Sequence, residues 1–260
     1  ANGSVSLLMF NQVVQEALET EQEAAWDKLS PNSLVIFEDA ELWWRKSADG
    51  FVVLDEIHRI IKQYATSIRF AVVMNSTAYE FISQLKPMDL IYSHLAVLEP
   101  IDARSLENVL WKRHLASGLK LKLAGKAQDS FHAWDFAHLF TQYFRFSKGY
   151  PATAMAAWIN NITAIENQLL EIRTPLSIDK SIFDSLEEQD LLLLQLFLLH
   201  KQMDFEKFSA IMAIDQIKVK DKLLPLHRSG FIELVDENIY QLNPLLLPNI
   251  IQVLKSKKYL

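Results

Sequence analysis

Apolar positions recur at helical spacing over residues 5–29, at Leu8, Phe10, Val13, Val14 and Ala17, beside an acidic surface of Glu16, Glu19, Glu21 and Glu23. That spacing predicts one long amphipathic helix ending before the turn Ser30-Pro31-Asn32. Leu34-Val35-Ile36-Phe37 then breaks the period as a continuous apolar run, the pattern of a short strand buried on both faces, and Glu38 and Asp39 close it. After Asp49-Gly50 the helical period returns over 51–64, at Phe51, Leu54, Ile57, Ile60 and Ile61. A second buried strand is predicted over 69–74, ending at Asn75, then a helix over 77–86 and a third short strand over 95–98. Strands separated by helices of this length predict a parallel α/β sheet.

After Glu99-Pro100 the pattern changes character. Residues 102–117, 130–146 and 150–173 each carry a helical period, with Gly118 at a C-terminal cap position and Gly149-Tyr150-Pro151 as a sharp helix start. A linker over 174–180 carries Pro175. Helices are predicted again over 185–201, 204–213 and 215–229. Two β-like runs, Phe231-Ile232-Glu233-Leu234 and Ile239-Tyr240-Gln241-Leu242, flank Asp236-Glu237-Asn238 as a hairpin. Helices followed by a hairpin are the order of a winged helix-turn-helix unit, and a final helix over 245–254 leads to Lys255, Lys257 and Lys258. The expected division is therefore 1–99, 100–176 and 177–260, predominantly helical overall.

Composition narrows the chemistry. At 260 residues the chain has room for about two or three compact units. Half its residues are apolar, which excludes a disordered or low-complexity chain. With no cysteine there is no disulfide, thiolate metal site or cysteine nucleophile, as suits a reducing cytosol. A net charge of −6 does not favour broad electrostatic binding to DNA or to anionic lipid. The longest apolar run, 191–199, is interrupted by Gln195 and falls short of the roughly 18 residues a membrane span needs. The chain begins Ala-Asn-Gly without a signal-peptide pattern, which predicts a piece of something longer in the cytoplasm. A membrane association would come only through an upstream segment.

The element order and its strand-end residues resemble the C-terminal two-thirds of a AAA+ ATPase, closest to the branch with a winged-helix tail that includes origin-recognition proteins and signal-transduction NTPases. Leu34-Val35-Ile36-Phe37-Glu38-Asp39 resembles a Walker B strand, and Phe70-Ala71-Val72-Val73-Met74-Asn75 a sensor 1 strand. Leu98-Glu99-Pro100-Ile101 through Arg113-His114-Leu115-Ala116-Ser117-Gly118 is similar to the start of the helical lid, and Gly149-Tyr150-Pro151 to the glycine-x-proline start of the sensor 2 helix. Arg45 and Gly50-Phe51 match the Arg and Gly-Phe that bacterial membrane-linked members place after Walker B. The resemblance implies a partial parallel-sheet ATPase core, an α-helical lid and a winged helix. It also implies ATP and Mg²⁺ as cofactors of the full-length protein. Glu38 would serve the metal, Asp39 the attacking water and Asn75 the γ-phosphate side, with Arg45, Arg113, Gly149 and Pro151 around the nucleotide. Ligands of open parallel sheets lie beyond the carboxyl ends of the strands, where Glu38, Asp39 and Asn75 fall, and carboxylates there can hold Mg²⁺ and orient water.

The departures from the family pattern limit what this chain can do. No Gly-x4-Gly-Lys-Ser/Thr can be assembled from its six glycines, so the family order puts the phosphate loop ahead of residue 5, and this chain alone is not expected to hydrolyse ATP. The acid pair is reversed, Glu38 standing at the usual metal-side Asp and Asp39 at the usual catalytic Glu. No Arg lies in 86–99, where an arginine finger would come, and Ala152 stands where many relatives carry the sensor 2 Arg. A slow switch is implied rather than a fast motor.

Other readings stand beside this one. Glu38 and Asp39 could simply cap the following helix, and Asn75 could serve a turn. Adjacent Trp43 and Trp44 point to different faces, so at least one is expected in an interface. The seven histidines show no HExxH and no i, i+4 pair, which gives metal binding no support from spacing. Lys218, Lys220 and Lys222 on the predicted recognition helix offer DNA as a partner, but nine Lys/Arg face eleven Asp/Glu over 182–260. The competing functions are a winged-helix DNA-binding regulator, and a protein-interaction scaffold with a decayed ATPase core.

Overall fold

The computed structural model describes residues 2–19, 23–88 and 91–260. The protein is predominantly helical, with eleven α-helices and three small sheets among the described residues. Its buried apolar side chains gather into three clusters along the chain.

The first cluster is built on two parallel strands, β1 (Leu34–Phe37) and β2 (Arg69–Val72), paired in register from Leu34↔Arg69 to Phe37↔Val72. Helix α1 (Asn2–Ala17) precedes them, α2 (Val52–Tyr64) is the crossover, and α3 (Ser76–Leu85) follows β2. Val53, Leu54, Ile57, Ile60 and Ile61 form the buried stripe of α2, at the spacing the sequence shows. Phe37 and Phe70 stack beneath Trp26, and Phe10 of α1 meets Trp43 edge-on. Burial of each such side chain contributes about 1.5–3 kcal/mol.

Three expectations for this part fail. The long helix over 5–29 is instead α1, ending at Ala17, and a separate 3-10 turn over Glu23–Lys28; Glu21 lies outside the described residues. β1 is not covered on both faces: Val35 and Phe37 point to the core, while Leu34 and Ile36 stay 60% and 50% exposed. Residues 95–98 form no strand. They run irregular and exposed, Leu98 at 90%, because no neighbouring ladder among the described residues offers them hydrogen bonds.

The second cluster holds α4 (Ala103–Ala116), β3 (Lys120–Leu123), β4 (Lys126–Ala127), α5 (Ala133–Ser147), α6 (Pro151–Asn160), β5 (Ile162–Glu166) and β6 (Leu169–Ile172). An all-helical unit was expected here. Instead a four-stranded sheet, ordered β4-β3-β6-β5 with β3 parallel to β6, covers the helices. The predicted helix 150–173 stops at Asn160, and the rest is a hairpin. Asn167 and Gln168 both take positive φ (48° and 61°), the geometry of a two-residue hairpin turn. Ile162, Thr163 and Ile165 are β-branched and suit the pleat. Leu170 and Ile172 bury inward, and the Tyr143 hydroxyl donates to the Arg173 carbonyl at 2.8 Å.

The third cluster comprises α7 (Ser181–Asp184), α8 (Glu188–His200), β7 (Gln202–Met203), α9 (Phe205–Met212), α10 (Gln216–Arg228), β8 (Ile232–Asp236), β9 (Ile239–Leu242) and α11 (Leu247–Ser256). The strands form an antiparallel sheet in the order β7-β9-β8, with the expected hairpin as β8 and β9. Asp204 and Asp215 cap α9 and α10 by accepting from the Lys207 and Lys218 amides. Helix α8 is apolar nearly all round and correspondingly buried from Leu193 to His200, which makes it the axis of this part.

The parts are tied together by specific bonds. The Lys255 ammonium of α11 reaches Glu80 of α3 at 2.9 Å. Thr153 at the start of α6 donates to the Pro244 carbonyl at 2.8 Å, and Lys148 donates to Asn249 and Gln252 of α11.

Candidate functional site at the carboxyl end of the parallel strands

β1 and β2 leave their ladder side by side. The Val73 amide donates to the Phe37 carbonyl at 2.8 Å, and the Ala40 amide to the Val73 carbonyl at 3.1 Å. Parallel pairing therefore brings Glu38, Asp39 and Asn75 to one edge of the sheet. Glu38 is exposed. Asn75 is the N-cap of α3, its side-chain oxygen accepting from the amides of Thr77 (2.9 Å) and Ala78 (3.3 Å). The turn reading of Asn75 thus has a concrete contact behind it. The capping reading of Asp39 does not: Asp39 adopts left-handed backbone (φ 50°, ψ 41°) before a short 3-10 turn and makes no side-chain cap bond.

The Asp39 carboxylate instead accepts from the ammonium of Lys201, just past the end of α8 and 162 residues away. The same ammonium lies 3.3 Å from the carboxylate of Glu41, which is wholly buried and makes no hydrogen bond among the described residues. Burial works against the charge of Lys201, but Asp39 and Glu41 outweigh it and raise its pKa. Lys201 holds φ 56° and ψ −68°, a sparsely populated backbone conformation for a side-chain-bearing residue.

Beside this pair, Trp44 is buried and stacks on His200, ring centroids 5.8 Å apart and planes 13° from parallel. Phe81 and Phe51 meet Trp44 edge-on. Of the two adjacent tryptophans, Trp44 is therefore the one placed between the first and third parts. Burial, then the positive charges of Lys207 and Arg45, pushes the His200 imidazole down to about 4, so the ring is neutral at pH 7. Burial likewise lowers Lys207. Neither ring nitrogen of His200, nor the Trp44 indole nitrogen, has a hydrogen-bond partner among the described residues.

The remaining sequence-derived candidates spread out. Arg45 is exposed in the loop after the 3-10 turn, its backbone closed by the Gly50 carbonyl at 3.2 Å. A Cβ on Gly50 would lie 1.7 Å from the Arg45 carbonyl oxygen, so only glycine fits that loop. Arg113 is exposed in the last turn of α4, whose buried residues belong to the second cluster rather than to the acid-bearing edge. Gly149 (φ 83°) and Pro151 form the α5–α6 turn, where the Gly149 carbonyl accepts from the Ile101 amide at 2.9 Å. Lys218 lies 3.5 Å from Asp215, and Lys222 donates to Gln189, so the basic residues of α10 partly answer to their own neighbours.

Glu41, His200 and Lys201 carry the geometry of this edge, and sequence reasoning missed them. The available signal was a polar pair, His200-Lys201, closing the apolar run 191–199, and a third acid within four residues of β1. No group of three His, Asp or Glu converges as a metal site among the described residues. A divalent ion here would take one or two carboxylates and complete its shell with water or phosphate, which is how Mg²⁺ is commonly held. A groove of about 810 Å³ between α1 and α2, lined by Asn11, Gln15, Glu56 and Arg59, contains none of these acids. No helix among the described residues is long and apolar enough to cross a membrane. No protein-family model matches the chain, and neither does any curated protein.

Proposed function

We propose that this chain is the C-terminal part of an ATP-dependent molecular switch of the AAA+ type, binding ATP and Mg²⁺ only in company with a further segment that carries the phosphate loop. The observation that carries this reading is the meeting of Asp39 and Asn75 at one carboxyl edge of two parallel strands, the place where open α/β sheets take their ligands. Supporting it, the sheet is incomplete as it stands. A two-stranded parallel sheet is below the size that is stable alone. Leu34, Ile36, Val73, Leu95 and Val97 leave apolar surface that an added strand and helix would cover. The helix-and-hairpin order of the third part suits a winged helix.

In this reading Glu38 faces the metal side, Asp39 orients the attacking water, and the Asn75 amide nitrogen faces the γ-phosphate while its oxygen keeps the helix cap. Lys201 is the cation at the edge itself, bonded to Asp39, and Arg45 follows in the exposed loop beyond Trp44. Arg113 and the Gly149–Pro151 turn belong to the lid and act through its movement against the core.

The test is ATP binding by the protein joined to its upstream segment, followed by calorimetry with and without Mg²⁺. Binding that is Mg²⁺-dependent and weakened at least tenfold by Glu38→Gln is expected, with turnover of the longer protein lost in Asp39→Asn and no turnover from residues 1–260 alone. ATP binding indifferent to Glu38, Asp39 and Asn75, or turnover by residues 1–260, would overturn the reading. Salt-dependent duplex binding lost on neutralising Lys218, Lys220 and Lys222 would favour a DNA-binding regulator instead.

A further inference from the structure

β1 is an edge strand with nothing guarding it. The carbonyls of Ser33 and Phe37 accept from the Arg69 and Val73 amides, so the odd-numbered residues of β1 direct their backbone groups to β2. The N–H and C=O groups of Leu34 and Ile36 therefore face the opposite edge, where the described residues supply no strand. A groove of about 190 Å³ borders that edge between β1 and α1, lined by Phe10, Val13, Ile36, Phe37 and Trp43 and by no residue of β2. Folded proteins guard such edges with Lys, Pro or a bulge, and Leu34-Val35-Ile36-Phe37 has none of them.

Its counterpart is Leu95-Ala96-Val97-Leu98. All four residues are exposed, their backbone is irregular, and no ladder among the described residues includes them. The next anchor comes only at Ile101, whose amide donates to the Gly149 carbonyl. One chain thus holds an open edge and a strand-like segment that do not pair with each other.

We propose that two copies of this chain associate by strand addition, residues 95–98 of each pairing antiparallel with the β1 edge of the other. That register sets Leu98 against Leu34 and Ala96 against Ile36, positions whose backbone groups are free to exchange both bonds. Opposed residues share a face of the sheet. Leu98 then covers Leu34 on the outer surface, while Val97 and Leu95 turn into the groove beside Val35 and Phe37. Charge selects the direction. Antiparallel pairing puts His94 beside Glu38 and Glu99 beside Ser33, whereas parallel pairing would put Glu99 against Glu38. The added strand makes a sheet of three, the smallest that is stable by itself. Reciprocal exchange forms two such ladders in one closed pair and leaves no β1 edge open.

The inference stands apart from the proposed function. A strand from the further segment invoked there would contend for the same edge, so the test uses this chain alone and no nucleotide. Sedimentation equilibrium of residues 1–260 across the micromolar to millimolar range is expected to show monomers and dimers in equilibrium. Ala96→Pro deletes the amide that meets Ile36, in a segment with no ladder to lose, and is expected to weaken the dimer roughly tenfold or more. Ile36→Lys puts a guard on the edge from an exposed side chain and is expected to act alike. Ile159→Lys and Ile217→Lys, at exposed apolar positions outside both segments, are expected to leave the dimer unchanged. Amide exchange reads the register: Leu34 and Ile36 gain protection as the dimer forms, while Val35 and Phe37, already bonded to β2, do not change. A monomer throughout that range, a dimer indifferent to Ala96→Pro, or a dimer weakened equally by Ile159→Lys would overturn the proposal. Failure of the longer protein to bind ATP would overturn the nucleotide reading and leave this one standing.

Discussion

Trp44 and His200 lie face to face, 5.8 Å between ring centroids, with the imidazole wholly buried and the indole nearly so. Burial, followed by the positive charges of Lys207 and Arg45, sets the protonation state of the histidine. Its folded pKa, about 4, lies below its ordinary 6.5, so the native state resists a proton that the unfolded state accepts. Stability is then full above about pH 6.5 and is lost as pH falls toward 4, by about 3 kcal/mol for this one group. Thermal unfolding of His200→Phe, which keeps a ring on Trp44, should show a shallower loss of Tm between pH 6.5 and 4.5 than the native protein. An unchanged slope would place the acid sensitivity elsewhere, for instance at His58 or His114, which burial also lowers.

Removing the other partner empties the junction. Trp44→Ala takes out one of the largest fully buried side chains, and a cavity of that kind costs about 3–5 kcal/mol. Urea unfolding should record a loss in that range, and the midpoint, not the slope, should move.

Gly149 tests the turn between α5 and α6. A Cβ there would lie 2.4 Å from the Ile101 carbonyl oxygen, at a backbone φ of 83° that side-chain-bearing residues rarely adopt. Gly149→Ala should therefore destabilise by at least about 1–3 kcal/mol in chemical denaturation. A neutral result would mean that the segment around Ile101 is free to move away.

Thr153 is fully buried and donates to the Pro244 carbonyl across the junction of the second and third parts. Thr153→Val keeps the shape and leaves that carbonyl without its donor, which costs about 1–3 kcal/mol. The accompanying signature is faster hydrogen exchange over 244–250.

The Lys255–Glu80 pair is the contrasting case. Its side chains are half-exposed, and a double-mutant cycle should return a coupling below about 1 kcal/mol that fades with salt.

How much of this was legible beforehand depends on the range of the interactions involved. β1, β2 and the crossover α2 were readable as elements from run length and apolar period, although the double burial that the β1 run implied is absent, and the β8–β9 hairpin because an acidic, Asn-containing turn separates two β-like runs. The β5–β6 hairpin was not: no Gly or Pro separates it from α6, and Asn167-Gln168 lacks the glycine that usually marks a two-residue turn. Residues 95–98 have strand composition but find no ladder, and composition says nothing about a partner. Of the site, Glu38, Asp39 and Asn75 were visible as strand-end residues. Glu41 and Lys201 were not, since their meaning comes from a contact spanning most of the chain, which no local pattern encodes.

Leu199 packs in the core of the first part, while its neighbours Phe197 and Leu198 fill the core of the third. Helix α8 is thus a party wall between two rooms rather than the outer wall of one. A cut in the 174–180 linker would strip the first room of a side while removing the second, so the protein cannot be shortened there as a string of interchangeable cassettes. Swapping the C-terminal third for that of another protein would demand from the newcomer a surface matching Trp44 and the face that α3 turns to α8.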